Sequence, residues 1–81
     1  MDELTISIVN FNGGRFIVSC LESLKKLKDE VLLEIFVVDN ASTDGSIEEV
    51  EKKFKDIEII KNNENLGFAK GQNQILKKIE T

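Results

Sequence analysis

The apolar positions of this chain change period three times, and each change marks an element. Leu4-Thr5-Ile6-Ser7-Ile8-Val9 alternates and then runs apolar, which predicts a strand. Asn10-Phe11-Asn12-Gly13-Gly14 breaks it. From Phe16 the apolar residues are Phe16, Ile17, Cys20, Leu21, Leu24 and Leu27, which predicts a helix buried on that stripe. Cys20 is expected there as a small core residue. A polar connector, Lys28-Asp29-Glu30, leads to Leu32-Leu33-Glu34-Ile35-Phe36-Val37-Val38. So continuous an apolar run suits a strand covered on both faces of a parallel sheet.

Asp39 to Gly45 reads as a polar loop. Ser46-Ile47-Glu48-Glu49 fits a capping box, and Ile47, Val50 and Phe54 form the stripe of a second helix. Ile57-Glu58-Ile59-Ile60 is a third strand, and Asn62 to Gly67 a third polar loop. The last helix is expected from about Phe68 to Ile79, with Ala69, Gln72, Ile75, Leu76 and Ile79 near one face. Strand then helix, repeated three times, predicts an α/β fold with a parallel sheet, helices on its faces and right-handed connections.

Composition narrows the chemistry. The chain has 81 residues, enough for one domain spanning 1–81. Fifteen acids against eleven bases give a net charge of −4, which argues against a nucleic-acid partner. No histidine and one cysteine exclude Ser-His-Asp chemistry, zinc-finger sites and a disulfide framework. Met1-Asp2-Glu3-Leu4 carries no basic start of a signal peptide, and no apolar run approaches the ~20 residues of a bilayer span.

The three strand-to-helix loops hold nearly all the Asn, Gly, Ser and Thr of interest. In a parallel sheet they share the carboxyl edge, where open α/β sheets bind ligands. Asp39 ends a buried strand there, and two roles are open to it: accepting an N–H or hydroxyl from a nucleoside, or capping the next helix. Phe11 can stack on a base or close the core. Asn10 and Asn12 read as turn residues. Asn65 to Gly71 can bring backbone amides and Lys70 toward phosphate, or simply begin a helix.

Taken together, Ile6-Ser7-Ile8-Val9-Asn10-Phe11-Asn12-Gly13, Val37-Val38-Asp39-Asn40-Ala41-Ser42-Thr43-Asp44-Gly45-Ser46 and Asn65-Leu66-Gly67-Phe68-Ala69-Lys70-Gly71-Gln72-Asn73 resemble the start of glycosyltransferase family 2, with a rhamnosyltransferase-like flavour. The resemblance implies a three-layer αβα, Rossmann-like sheet, the truncated front of the GT-A fold with three βα units. It implies an inverting enzyme that takes a nucleotide-diphosphate sugar, UDP- or dTDP-linked. Val9 and Phe11 would line the base pocket beside Asn12. Asp39 would accept the imide N–H of uracil or thymine. Gly67 to Lys70 would pass the base and diphosphate, and Asn73 would support that loop. Many family members carry a basic residue where this chain has Gln72, and Lys70 is the cation left to replace it.

The same resemblance implies an Asp-x-Asp-type motif after a further strand beyond Thr81, holding a divalent metal, Mg or Mn, on the diphosphate. The catalytic base and acceptor half would also lie outside these residues. The chain alone is therefore expected to be inactive, and no catalytic residue is assigned within it. The first strand is expected to present an open edge that pairs two copies into a homodimer. A cytoplasmic location is expected, peripheral at the inner membrane face in the whole protein. Two alternatives stand beside this reading: a non-catalytic scaffold that folds and self-associates, and a dinucleotide-binding oxidoreductase fragment. Asn12-Gly13-Gly14-Arg15-Phe16-Ile17 lacks the G-x-G-x-x-G spacing the latter needs.

Overall fold

The computed structural model describes residues 2–27 and 30–80. The connector expected at Lys28-Asp29 lies outside them. Six elements follow in order: β1 (Asp2–Asn10), α1 (Arg15–Lys25), β2 (Val31–Asn40), α2 (Ser46–Lys53), β3 (Glu58–Asn62) and α3 (Gly67–Glu80). The strands form one parallel sheet in the order β1-β2-β3. This is the parallel α/β arrangement that the alternation of periods predicts, in the Rossmann-like form that the resemblance implies.

Helices cover both faces. Ile17, Val18 and Leu21 of α1, with Ile47, Val50 and Phe54 of the α2 region, pack on Ile35 and Val37 of β2. On the opposite face Ile75 of α3 packs on Phe36 and Val38. β2 is buried without a break from Ile35 to Asn40, as its central place requires. After β3 the chain turns back, so α3 lies over β2 and β1 on the face that α1 and α2 leave open. In open α/β sheets ligands bind outside the carboxyl ends of the strands.

Several expectations need correction. The strands run further than the apolar residues do, ending at Asn10, Asn40 and Asn62. Asp39 and Asn40 are therefore strand residues, paired with Asn10 and Asn62 across the sheet. The ladder continues because each buried polar side chain finds partners. Phe16 is 86% exposed and Cys20 is exposed, while Val18 is buried. The contact stripe of α1 is narrower than its apolar pattern and rotated toward α2. On α3, Leu76 and Ile79 are exposed, and Gly71 and Ile75 alone are buried among the described residues.

Gly71 explains how α3 sits so near the sheet. A Cβ there would lie 3.0 Å from Val9 Cγ2 and 3.4 Å from Val38 Cγ1. The capping box does not form: Gly45, with φ 82°, is the N-cap of α2. The Asp44 carboxylate takes the Ser46 amide at 2.9 Å instead, before a serine hydroxyl is needed.

Candidate functional site

The three loops lie side by side along the carboxyl edge, because the register aligns Asn10 with Asp39 and Asn40 with Asn62. Successive residues of β2 point to opposite faces. Asp39 serves the face of α1 and α2, and Asn40 the face of α3. Each gathers a different loop.

On the first face, Asn10 Nδ2 donates to Asp39 Oδ1 (2.9 Å), Ser46 Oγ (3.0 Å) and Ser42 Oγ (3.2 Å). Ser42 donates to Asp39 twice, by hydroxyl to Oδ1 at 2.7 Å and by amide to Oδ2 at 3.1 Å. Asn12, at φ 51°, accepts the Thr43 amide, and its own amide donates to Ser42 Oγ. The Gly14 amide donates to Asp44 Oδ2 at 3.0 Å. The first two loops are thus tied together by side chains from both.

Asp39 is 3% exposed. A carboxylate has about four acceptor positions, two on each oxygen. Three are taken, and the one left is on Oδ2. The residue acts as a turn anchor and retains capacity for one more donor. Asp44 is exposed, and its carboxyl is held below the ordinary range chiefly by the Ser46 hydroxyl, with further help from the amides of Ser46 and Gly14.

On the second face, Asn40 is 1% exposed. Its Nδ2 donates to the Gly67 carbonyl at 3.1 Å, and its Oδ1 accepts from Asn62 Nδ2 at 2.8 Å. Asn62 and Gln74 exchange two further bonds of 2.8 Å. These amides fix the third loop and the start of α3 to the end of β2. Gln72 accepts a 2.7 Å bond from Ser7 on β1.

The expected site residues are placed as follows, and the groove that holds Val9 and Phe11 does not include Asp39, Gly67, Lys70 or Asn73. Val9 and Phe11 line one groove of about 290 Å³ beside β1, with Phe16 and Cys20 on its far wall. Phe11 is 52% exposed, so its ring is a surface feature rather than core. Asn12 is an exposed staple between loops. Gly67 has φ 84°, a conformation glycine adopts without strain. Lys70 and Asn73 are exposed on the first turns of α3.

The residues that shape this edge but were read only as turn, loop or helix positions are Asn10, Asn40, Ser42, Asp44, Asn62 and Gln74. The signal that finds them is an asparagine at the end of each strand. A second cleft, about 520 Å³, opens between α1 and α2. Its charged lining is Glu22, Asp44 and Glu49 against Arg15 and Lys53, a balance that does not favour an anion. Among the described residues no three His, Cys, Asp or Glu gather to hold a metal ion. Among the described residues no helix is long and apolar enough to cross a membrane.

A parallel sheet covered on both faces, with polar loops gathered at the carboxyl edge beside a reversal of chain direction, defines a Rossmann-like α/β domain. Residues 5–81 match the family model described as Glycosyl transferase family 2. The chain is also 33% identical over 85 residues to a teichoic acid poly(glycerol phosphate) polymerase of Staphylococcus epidermidis, a match covering 100% of this chain and 12% of that protein. The chain belongs to glycosyltransferase family 2.

Proposed function

We propose that this chain forms the nucleotide-binding half of an inverting glycosyltransferase whose donor is a UDP- or dTDP-linked sugar. The observation that carries the reading is the single acceptor position left on Asp39, at the end of the central strand and on the edge that also holds Phe11. An imide N–H fills one such position and no more. Stacking on Phe11 adds a contact of the kind worth ~1–3 kcal/mol per base. The Gly67–Lys70 segment lies toward the diphosphate, with Lys70 as its cation and Asn73 behind it. A divalent metal, Mg or Mn, would screen the diphosphate in the whole enzyme from ligands this chain does not supply.

The chain spans 12% of the length of the curated relative it matches. On this reading the acceptor site and general base lie elsewhere in a longer protein, which works at the inner face of the membrane from the cytoplasm. The relative's name favours a polymer of teichoic-acid type as the setting. The test is titration of the ¹⁵N-labelled chain with UDP, dTDP and NAD, alongside a sugar-release assay with metal and nucleotide sugars. UDP or dTDP should shift the amides around Phe11, Asp39 and Gly67 without turnover. Binding of NAD alone overturns the donor class, and turnover at enzymic rates overturns the division of labour.

The free side of β1 favours a second reading, a scaffold that pairs two copies. Exposed Phe16 and Cys20 flank that edge on one face. Phe68, Leu76 and Ile79 share the exposed stripe of α3 with Gln72, which is bonded to β1, on the other. A two-fold axis through antiparallel β1 strands would set each stripe against its own copy, as an isologous dimer requires. Light scattering at high concentration should give twice the chain mass; a monomer would count against it.

A further inference from the structure

We propose that Asn10 is a positioning residue that decides which oxygen Asp39 offers to a ligand, and that Gly13 is bare so that Asn10 can stay in place. The inference rests on the reading of Asp39 as the imide acceptor. Asn10 is 3% exposed and stands directly across the ladder from Asp39. Its amide has two hydrogens for three acceptors within 3.2 Å, so it is held from several sides. Together with the Ser42 hydroxyl it fills Oδ1 of Asp39. The Ser42 amide takes half of Oδ2 and leaves the other half open. Remove the Asn10 amide, and the carboxylate can turn about its Cβ–Cγ bond and redistribute its acceptor positions. The offered position is then no longer fixed.

Gly13 supplies independent geometry. A Cβ at this position would lie 2.3 Å from Asn10 Oδ1 and 3.5 Å from its Cγ. Any side chain at position 13 must push the Asn10 amide aside. That amide is buried and bonded to Asp39, Ser42 and Ser46, so it cannot yield without breaking those bonds. Gly13 therefore acts on Asp39 through Asn10, although no hydrogen bond joins it to the carboxylate.

The test compares UDP with its N3-methyl analogue, which lacks the imide proton, on the 81-residue chain by calorimetric titration. One hydrogen bond to a charged acceptor should favour UDP by about tenfold or more in the natural chain. Asn10→Ala should cut that preference to about threefold or less, a change that general destabilisation would not produce in a folded variant. Gly13→Ala should do the same and should shift the Ser42 amide resonance. In the Asn10→Ala background Gly13→Ala should then add nothing. If Asn10→Ala does not fold, Asn10→Ser, which keeps one donor, replaces it and should retain part of the preference.

The outcomes separate the two ideas. A natural chain that binds UDP and its methyl analogue alike removes the role of Asp39, and this proposal with it. A natural chain that discriminates, beside Asn10 variants that discriminate equally, overturns the positioning role alone. So does a Gly13→Ala variant with an unmoved Ser42 amide, or one whose effect is as large without Asn10 as with it.

Discussion

Replacing Asn40 by alanine tests whether amides at the strand ends, rather than the apolar core alone, hold the loop edge together. The side chain is almost fully buried and makes two hydrogen bonds, to Gly67 and from Asn62. A neutral bond contributes about 1 kcal/mol net, and a buried group left unpaired costs about 1–3 kcal/mol. Gly67 is exposed and Asn62 half-buried, so water can reach both partners and holds the penalty near its lower bound. Asn62 Nδ2 also keeps its bond to Gln74. The expected loss is about 2–3 kcal/mol. For 81 residues the total stability should be about 4–12 kcal/mol, so the loss is a large share. It corresponds to a fall in Tm of about 8–24 °C.

Urea denaturation followed by circular dichroism measures the change, with the slope checking that the same surface is exposed. Asn40→Ala and Asn62→Ala should couple by at least about 0.5 kcal/mol, because they share a bond. Amide exchange in residues 63–67 should rise more than the global change predicts, since Asn40 is the side chain that ties Gly67 to the sheet. A loss below about 0.5 kcal/mol, or exchange that rises evenly through the chain, would refute the reasoning.

Ala41 sits at φ 60°, where a Cβ is strained by about 1–2 kcal/mol. Ala41→Gly should stabilise the fold by about 0.5 kcal/mol after the added unfolded-state entropy of glycine, read as a rise in Tm. Gly71→Val should destabilise by about 1–3 kcal/mol, because its Cβ would already crowd Val9 and Val38; unchanged stability would mean that α3 shifts freely. Asp44 titrates below its ordinary 3.8, so its contribution is present above that value and is lost as pH falls through the folded-state pKa. Acid unfolding curves of the natural chain and Asp44→Asn should therefore differ at neutral pH and converge at the acid end. Curves that stay parallel throughout would show that the carboxylate's charge is not what the Ser46 hydroxyl stabilises.

The order of elements and the clustering of loops were legible because apolar period follows backbone geometry directly. Val37 and Val38 reveal a strand covered on both faces before any coordinates exist. The polar ends of the strands were not legible by the same rule. Asn10, Asp39 and Asn40 look like loop residues, since burying an amide or carboxylate is costly unless it is fully bonded. Their partners, Ser42 and Ser46 for Asn10 and Gly67 for Asn40, come from other segments, and no local window contains them. The apolar stripe of α1 misled in the opposite direction. Helical spacing marks which residues share a side, but the sheet decides how much of that side it touches. Phe16 and Cys20 lie beyond the width that β1 and α2 cover.

These two departures point to the same part of the molecule. At the carboxyl ends of the strands, polar residues are drawn inward to bond one another, and beside β1 apolar residues are left outside. The inward set fixes backbone where a ligand needs fixed donors and acceptors, because a bonded amide cannot rearrange without losing its partners. The outward set, Phe11 and Phe16 around the groove and Phe68 on α3, supplies flat surface on which a base or another chain can rest. Neither is what core formation alone would select. Their coincidence at the place where the chain turns back is what the proposed ligand edge rests on, rather than the larger cleft between α1 and α2.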